Sequence, residues 1–348
     1  MDYEQNDNLS RGQSPEPIPE PAQNQQAAKP RKKRTGWRIF WGIVLVMSVL
    51  ANILLFVMLI AVVAVFATGQ RGIFTEEVIK EGPRTAKIAV INVEGVIDDK
   101  QARNVWSQLK SARKDKWVKG LIIRVNSPGG LVSSSDQIYN ELLKYRSETE
   151  KPVVAFMQGV AASGGYYTSV GCDKIIAEPT VITGSVGVIM GYLVLEELLK
   201  EKLGIQPIIE KSGLKKDWPS SFQMPTEEQR QYLQDKLIKP AYERFVQVVA
   251  DGRRELSLDE VKALADGSIY STAEAVEGKM IDGIGYIDDA IEEVLAMAEI
   301  EKAQVVEYRK QFSFSDFIIS GSKSNLGIDR DTLYELSSPR LLYLWDGY

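Results

Sequence analysis

The sequence predicts an α/β domain with crossover connections between its strands, preceded by one membrane-spanning helix. Three observations favour this fold class. An uncharged apolar segment long enough to cross a bilayer lies near the N-terminus. From residue 87 onward, short β-branched segments alternate with segments of helical periodicity. One predicted strand breaks abruptly at the glycine turn "NSPGG", residues 126–130.

Residues 37–68 are predicted to form a transmembrane anchor. Within them, residues 39–67 carry no charge, and a helix of that length exceeds the ~30 Å hydrocarbon layer. A cleaved signal peptide has a shorter apolar region, of roughly 7–15 residues. An uncleaved anchor is therefore expected.

The segment before the anchor, residues 1–36, is expected to be a disordered cytoplasmic tail. Its Pro, Gln, Asn and charged residues cannot bury enough surface to offset the entropy of ordering. It ends in a basic cluster without an acid, "KPRKKRTGWR", whereas acids balance bases after the anchor. The positive-inside rule then predicts a single-pass protein of the cell membrane with its large C-terminal part outside the cytoplasm.

The chain after the anchor is long enough for a real hydrophobic core. We expect a linker at 69–86, a main domain at 87–310 and a Ser-rich C-terminal tail at 311–348. The mild acidity and the lack of a basic patch argue against nucleic acid as a partner. With no histidine and Cys172 as the one cysteine, neither a metal site, a cofactor nor an internal disulfide is expected.

Periodicity and β-branching predict the elements of the main domain. The predicted strands are 87–97, 118–125, 151–158, 173–179, 185–191 and 205–210. The predicted helices are 101–115, 133–148 and 193–204, and helical patterns also cover 225–267 and 271–299. Strands that alternate with helices favour crossover connections.

Ser163 is the candidate nucleophile. It lies in "AASGGYY", at the predicted junction between a strand and a helix. At a helix start the first amides are free and the dipole favours a developing negative charge. Small neighbours leave space for a substrate, although they also suit a tight packing junction. The rival serines fit turns or caps: Ser127, Ser133, Ser134, Ser135 and Ser185.

The glycine turn is the candidate oxyanion hole. Gly129 and Gly130 follow a buried strand, where a turn would aim their amides outward. Two neighbouring parallel strands would bring this turn and Ser163 side by side at their carboxyl ends. Such an arrangement suits acyl transfer.

A lysine is the natural base in a chain without histidine. Its pKa, ordinarily ~10.4, must fall by roughly 3 for work near neutral pH, which corresponds to about 4 kcal/mol. Burial among apolar groups can lower it that far. Lys211, Lys215 and Lys216 are candidates, and spacing alone does not select among them. A hydroxyl such as that of Ser185 could hold the neutral amine.

Four motifs in this order, "VKGLIIRVNSPGG", "AASGGYY", "TGSVGVI" and "KSGLKKD", resemble those of bacterial signal peptide peptidase A, a family of membrane-bound Ser-Lys proteases. The resemblance covers roughly residues 87–300, and "SPRLLYLW" is also similar to the single-unit members. It implies the ClpP/crotonase fold, a superhelix of β-β-α units, and makes 87–310 a Ser-Lys protease domain. The implied activity is hydrolysis of remnant signal peptides and other extended apolar peptides at the membrane.

The resemblance also implies roles for single residues. Ser163 matches the nucleophile, and Lys216, the lysine before Asp in "KSGLKKD", matches the base. Ser185 matches the hydroxyl that steadies this lysine. The chain departs from the pattern in carrying Lys215 beside the expected base. Lys211 stays a further candidate, because tandem-duplicated relatives carry their lysine in a segment of different sequence.

Gly129 and Gly130 match the family's oxyanion hole, with the amide of Gly164 as a further donor. Tandem-duplicated relatives hold two homologous units, whereas this chain holds one. The resemblance therefore implies a homo-oligomeric ring in which one protomer's serine meets its neighbour's lysine. Two alternatives stay open: a crotonase-like acyl-CoA enzyme, and a non-catalytic or regulatory membrane protein of the same fold.

The C-terminal "SSPRLLYLWDGY" allows two interpretations. Its Leu, Tyr and Trp residues could pack on their own domain. The segment also looks like a substrate, extended and apolar, so it could occupy the groove as an intramolecular ligand.

Overall fold

The structure is a computed structural model that describes residues 35–68, 74–310, 340–345 and 347. It consists of two compact units, Met1–Gly69 and Gln70–Tyr348. Residues 1–34 of the expected N-terminal tail, 69–73 of the expected linker and 311–339 of the expected C-terminal tail lie outside the described residues.

The first unit is represented by one helix, α1, over Thr35–Thr68. Residues 36–63 have a mean hydropathy of 3.0 and expose all their side chains. By length and composition this helix can cross a membrane. The side-chain amide of Asn52 donates to the carbonyl of Ser48 (2.8 Å), and this bond satisfies part of the hydrogen-bonding capacity of Asn52 within the apolar helix α1.

The second unit contains the twelve described strands. They are β1 Phe74–Lys80, β2 Lys87–Glu94, β3 Val118–Ser127, β4 Gly129–Leu131, β5 Val153–Ala162, β6 Lys174–Ala177, β7 Ile182–Gly184, β8 Ile189–Gly191, β9 Ile269–Ser271, β10 Gly283–Ile284, β11 Gln304–Lys310 and β12 Arg340–Leu344. The main sheet has the order β1-β11-β2-β3-β5-β6-β10, and β7 pairs with both β5 and β9. A small second sheet has the order β4-β12-β8.

Helices connect these strands. They are α2 Asp99–Lys114, α3 Val132–Thr149, α4 Gly164–Ser169, α5 Glu227–Leu233, α6 Lys239–Gly252, α7 Leu258–Leu264, α8 Thr272–Glu277 and α9 Ile287–Met297. Two wider π-helical turns cover Leu198–Lys202 and Gln234–Ile238. The α2 helix begins after Asp98 because this side chain accepts from the amide of Gln101 (2.7 Å).

The parallel strands β2, β3 and β5 form the centre of the main sheet. They are apolar on both faces because helices cover both. The larger core lies on the face covered by α2, α3, α4 and α6, and the smaller core lies under α9. This α/β architecture is the fold class that the sequence predicted.

Seven of the described strands have no counterpart among the predicted ones: the short strands β4, β7, β9 and β10, and the longer strands β1, β11 and β12. β1 forms within the segment expected to be a linker and pairs antiparallel with β11, which was not predicted either. β12 forms within the expected C-terminal tail and pairs antiparallel with β4 and β8. Each of these longer strands obtains its hydrogen bonds from strands distant in sequence, so a local pattern gives little sign of it.

The prediction of a strand at 205–210 is wrong, because residues 204–211 have no regular secondary structure. The predicted helix at 193–204 shrinks to residues 196–202, which include the π-helical turn Leu198–Lys202. Residues 192–225, called the apolar segment below, expose large side chains to solvent. Examples are Leu193, Leu198, Leu203, Ile205, Ile208, Leu214, Phe222 and Met224, of which Ile208 is 86% exposed.

Candidate active site

Ser163 lies between β5 and α4, at the predicted strand-to-helix junction. Its backbone has φ 53° and ψ −115°, a strained conformation for a residue with a side chain. Its N–H donates to the carbonyl of Gly184 (2.8 Å), and its carbonyl accepts from the amide of Tyr167 (2.8 Å). The residue is 1% exposed. To the other described residues its hydroxyl makes no hydrogen bond, so it is available for chemistry.

The glycine turn lies directly beside this serine. The parallel register of β3 and β5 opposes Ser127 to Ala161, so the segments that follow the two strands meet. Gly129 has φ +103°, and a methyl group on it would lie 2.7 Å from the amide nitrogen of Gly164 and 2.0 Å from the carbonyl oxygen of Tyr343. Glycine is therefore required here. The amide of Gly129 already donates to the Ser127 hydroxyl (3.1 Å).

The strand β12 runs along the glycine turn, between β4 and β8. The side chain of Tyr343 is buried there, stacked on Tyr167 (ring centroids 5.0 Å apart) and packed against Phe245 (4.6 Å). Its hydroxyl donates to the carbonyl of Ala241 (2.7 Å). Burial raises the pKa of Tyr343 above its ordinary value. An extended peptide thus fills the groove beside the candidate nucleophile.

The carbonyl of Tyr343 lies against two of the predicted oxyanion residues. Tyr343 is opposite Gly130 in the antiparallel register, and Trp345 donates to the carbonyl of Pro128 (2.8 Å) two residues further on. Hydrogen-bonded pairs alternate in such a ladder, so the Gly130 amide faces this carbonyl. A methyl group on Gly164 would lie 3.1 Å from the same oxygen. Gly130 and Gly164 are therefore the candidate donors.

Ser185 lies next to the candidate nucleophile, immediately after β7. The register of β5 and β7 opposes Ala162 to Gly184, one residue before each serine. Ser185 has φ 51°, and its amide donates to the carbonyl of Ser268 (2.7 Å). No bond of its hydroxyl to another described residue is found. This hydroxyl is free to hold an incoming base.

The three candidate lysines differ in their surroundings. Lys211 donates to both carboxylate oxygens of Asp217 (2.9 Å), and these bonds hold the pKa of Asp217 below its ordinary value. Lys215 lies over the ring of Tyr232, 4.5 Å from its centroid. Both contacts stabilise a charged ammonium, whereas a base must be neutral. The exposed side chain of Lys216 contacts no such partner in the part of the chain that the structure describes.

The structure thus brings together five of the predicted site residues: Ser163, Ser185, Gly129, Gly130 and Gly164. Within the described ranges, none of the lysines bonds to either serine. In the described part of one chain, the candidate nucleophile and the candidate oxyanion donors therefore have no candidate base bonded to them.

The pocket for Tyr343 was missed in the sequence. Tyr167 appears in the nucleophile motif, and its hydroxyl donates to Asp136 (2.5 Å), which also accepts from Arg244 (3.0 Å). Phe245 lies on the apolar face of α6. In the sequence that face is indistinguishable from an ordinary core-packing face, so periodicity alone gave no sign of a pocket.

A strained serine before a helix, beside glycine amides and an extended peptide, defines the site of a serine peptidase. The chain matches the models of "Peptidase family S49" over residues 145–301 and of "Clp protease" over residues 76–179. It is 41% identical over 246 residues to a putative signal peptide peptidase SppA of Enterococcus faecium, which covers 68% of this chain and 70% of that protein. The chain belongs to peptidase family S49.

Longer relatives share the same region. Protease 4 of Salmonella typhi is 32% identical over 246 residues, 67% of this chain but 38% of that protein. The chloroplastic serine protease SPPA of Arabidopsis thaliana is 32% identical over 233 residues, 66% of this chain and 34% of that protein. The similarities confirm the resemblance seen in the motifs, and they favour a peptidase over an acyl-CoA enzyme.

Proposed function

We propose that this serine peptidase hydrolyses extended apolar peptides, among them remnant signal peptides, with Ser163 as its nucleophile. The observation that carries the proposal is the position of β12. An extended segment lies along the glycine turn, with the carbonyl of Tyr343 between Gly130 and Gly164. A substrate bound as an added strand would present its scissile carbonyl in the same way.

The chemistry follows from this geometry. The Ser163 oxygen bonds to the scissile carbonyl carbon while its proton passes to a neutral lysine amine. The carbonyl oxygen becomes an oxyanion that accepts from the Gly130 and Gly164 amides. The lysine then protonates the leaving amine as the C–N bond breaks. Water, deprotonated by the same lysine, releases the acyl group and restores the serine.

Lys216 of a neighbouring protomer is the proposed base, held by Ser185. Lys211 and Lys215 each have a contact that favours the ammonium form. The apolar segment that carries all three lysines exposes side chains such as Leu214, which is 80% exposed. A second copy that covers this segment would remove apolar surface from water and bring the lysine toward a serine. A closed ring of protomers would cover the apolar segment of every chain and bring every lysine to a neighbour's serine.

The substrate class follows from the groove and the anchor. Leu341 and Tyr343 of β12 both pack against the main core, so alternate substrate positions would be apolar. The helix α1 would hold the domain at the cell membrane, with the basic tail in the cytoplasm and the catalytic domain outside it. Released signal peptides are apolar and lie at that surface.

Labelling of the full-length protein with a fluorophosphonate tests the proposal. We expect labelling and peptide hydrolysis by the wild type and by Ser134→Ala, and neither by Ser163→Ala. Ser134 is a matched control because it is equally buried and donates to Asp99 (2.7 Å) away from the groove. Turnover by Ser163→Ala would reject this nucleophile, and an unreactive wild type would favour a non-catalytic protein of the same fold.

A further inference from the structure

Ser127, the serine of "NSPGG", is fully buried at the end of β3 and has no part in the chemistry proposed above. Its hydroxyl donates to the carbonyl of Gly95 (2.6 Å) and accepts from the amide of Gly129 (3.1 Å). It therefore links the loop after β2 to the first glycine of the turn.

Other groups of the turn are also bound. The carbonyl of Gly129 accepts from the amide of Ile97 (2.8 Å), and the amide of Leu131 donates to the carbonyl of Ile97 (2.8 Å). The amides of Gly129 and Leu131 are thus bound to Ser127 and Ile97. Of the three amides at residues 129–131, the amide of Gly130 is the one that faces β12.

We propose that Ser127 is a positioning residue of the oxyanion hole. By holding the Gly129 amide inward, its hydroxyl fixes the Pro128–Gly129 peptide plane. This fixes the backbone conformation of Gly129, and so the direction in which the next peptide plane, held by Ile97, points the Gly130 amide at the substrate carbonyl. Without the hydroxyl, a buried N–H would lack a partner. Gly129 could then relieve this by rotating, since glycine tolerates many backbone conformations. The inference rests on the proposed role of Ser163.

The test compares Ser127→Ala with the wild type as full-length protein. Loss of an oxyanion donor lowers kcat about 10²–10³-fold, and a displaced donor should cost less, about ten- to a hundredfold. KM should stay within about twofold, because the pocket for the Tyr343 position is not altered. Fluorophosphonate labelling should slow by the same factor as kcat, because its phosphoryl oxygen occupies the same hole. The pH dependence should keep its shape, because the base is unchanged.

Two variants separate positioning from packing. Ser127→Cys refills the volume but forms weak hydrogen bonds, so it should stay as slow as Ser127→Ala. Ser134→Ala removes another buried hydroxyl and should keep wild-type kinetics. Each rate is divided by the concentration of folded protein, and circular dichroism at the assay temperature measures the folded fraction.

The proposal fails if Ser127→Ala keeps kcat within twofold of the wild type, if Ser127→Cys recovers the full rate, or if the loss lies in KM. It also fails if Ser134→Ala loses as much. These outcomes differ from failure of the proposed function, in which the wild type itself would show no labelling at Ser163.

Discussion

The amide of Ser163 donates to the carbonyl of Gly184 at 2.8 Å, and this bond places Ser185 beside Ser163 at the ends of two parallel strands. Both serines have positive φ, 53° and 51°, and both are buried with hydroxyls unbonded to other described residues. Because the two serines are neighbours in register, we expect a base that reaches one hydroxyl to reach the other. This explains how a single incoming lysine could be held and used at once.

Ser185→Ala should lower kcat by about tenfold or more and move the alkaline rise of activity to higher pH. The hydroxyl would stabilise the neutral amine, so its loss favours the protonated base. The measurement is kcat against pH. Ser268→Ala is the control. Ser268 accepts from the Ser185 amide through its backbone carbonyl, which the substitution keeps, and its side chain is exposed. An unshifted profile in Ser185→Ala would remove this role.

Lys216→Ala should lose about 10²–10⁴-fold in kcat, the contribution of a general base. Lys211→Ala and Lys215→Ala should stay within about fivefold of the wild type, because surface contacts such as theirs contribute little. Wild-type activity should rise toward alkaline pH, because a lysine acts as a base only in its neutral form. A flat profile from about pH 5 upward would indicate a carboxylate base instead.

The placement of Ser163 beside the glycine turn could be predicted because it depends on consecutive residues. The buried runs of β3 and β5 predict two strands. The glycine-rich motifs directly after them predict a glycine turn at the end of β3 and a strand-to-helix junction with Ser163 at the end of β5. Parallel pairing of these strands then brings the turn to Ser163. By contrast, the inward bond of the Gly129 amide to Ser127 depends on the exact turn geometry, which "NSPGG" does not specify.

Other features depend on non-local contacts and could not be predicted. β12 is a strand because β4 and β8 supply hydrogen bonds from far away in the sequence. The pocket around Tyr343 combines α4 and α6, whose apolar faces look like ordinary core. The apolar pattern of 205–210 suggested a strand, but these residues pair with no strand in the part of the chain that the structure describes. The choice of Lys216 rests on the family motif and on the contacts of Lys211 and Lys215, which the sequence does not show.

Deletion of residues 337–348 should speed hydrolysis of short peptides, because β12 would no longer compete for the groove. If the strand occupies the groove ~90% of the time, the gain is about tenfold. Deletion of 346–348, which leaves β12 intact, is the control. Circular dichroism must show that the longer truncation folds, since it also removes the buried ring of Tyr343. A folded truncation with unchanged kinetics would show that β12 does not inhibit.

Ile208→Asp should dissociate the assembly and lower activity by about tenfold or more, while each chain stays folded. A charge on the apolar segment would be buried at the proposed contact between protomers, which is costly. Sedimentation velocity in detergent measures the size of the assembly. Leu258→Asp is the matched control, because Leu258 is 43% exposed on the first turn of α7, where an acid is favourable. An intact, active assembly in Ile208→Asp would exclude this part of the apolar segment from the interface.

Mixing two inactive variants tests whether the site is shared between protomers. Ser163→Ala chains keep the lysine, and Lys216→Ala chains keep the serine, so neither should hydrolyse peptides alone. In a ring each subunit gives a serine to one site and a lysine to the next. Chains co-assembled at random in equal amounts should therefore complete about a quarter of the sites, and activity should recover to about that fraction of the wild type. Rings shown to be mixed but inactive would place both residues of the dyad within one chain, and catalysis would then need no neighbour.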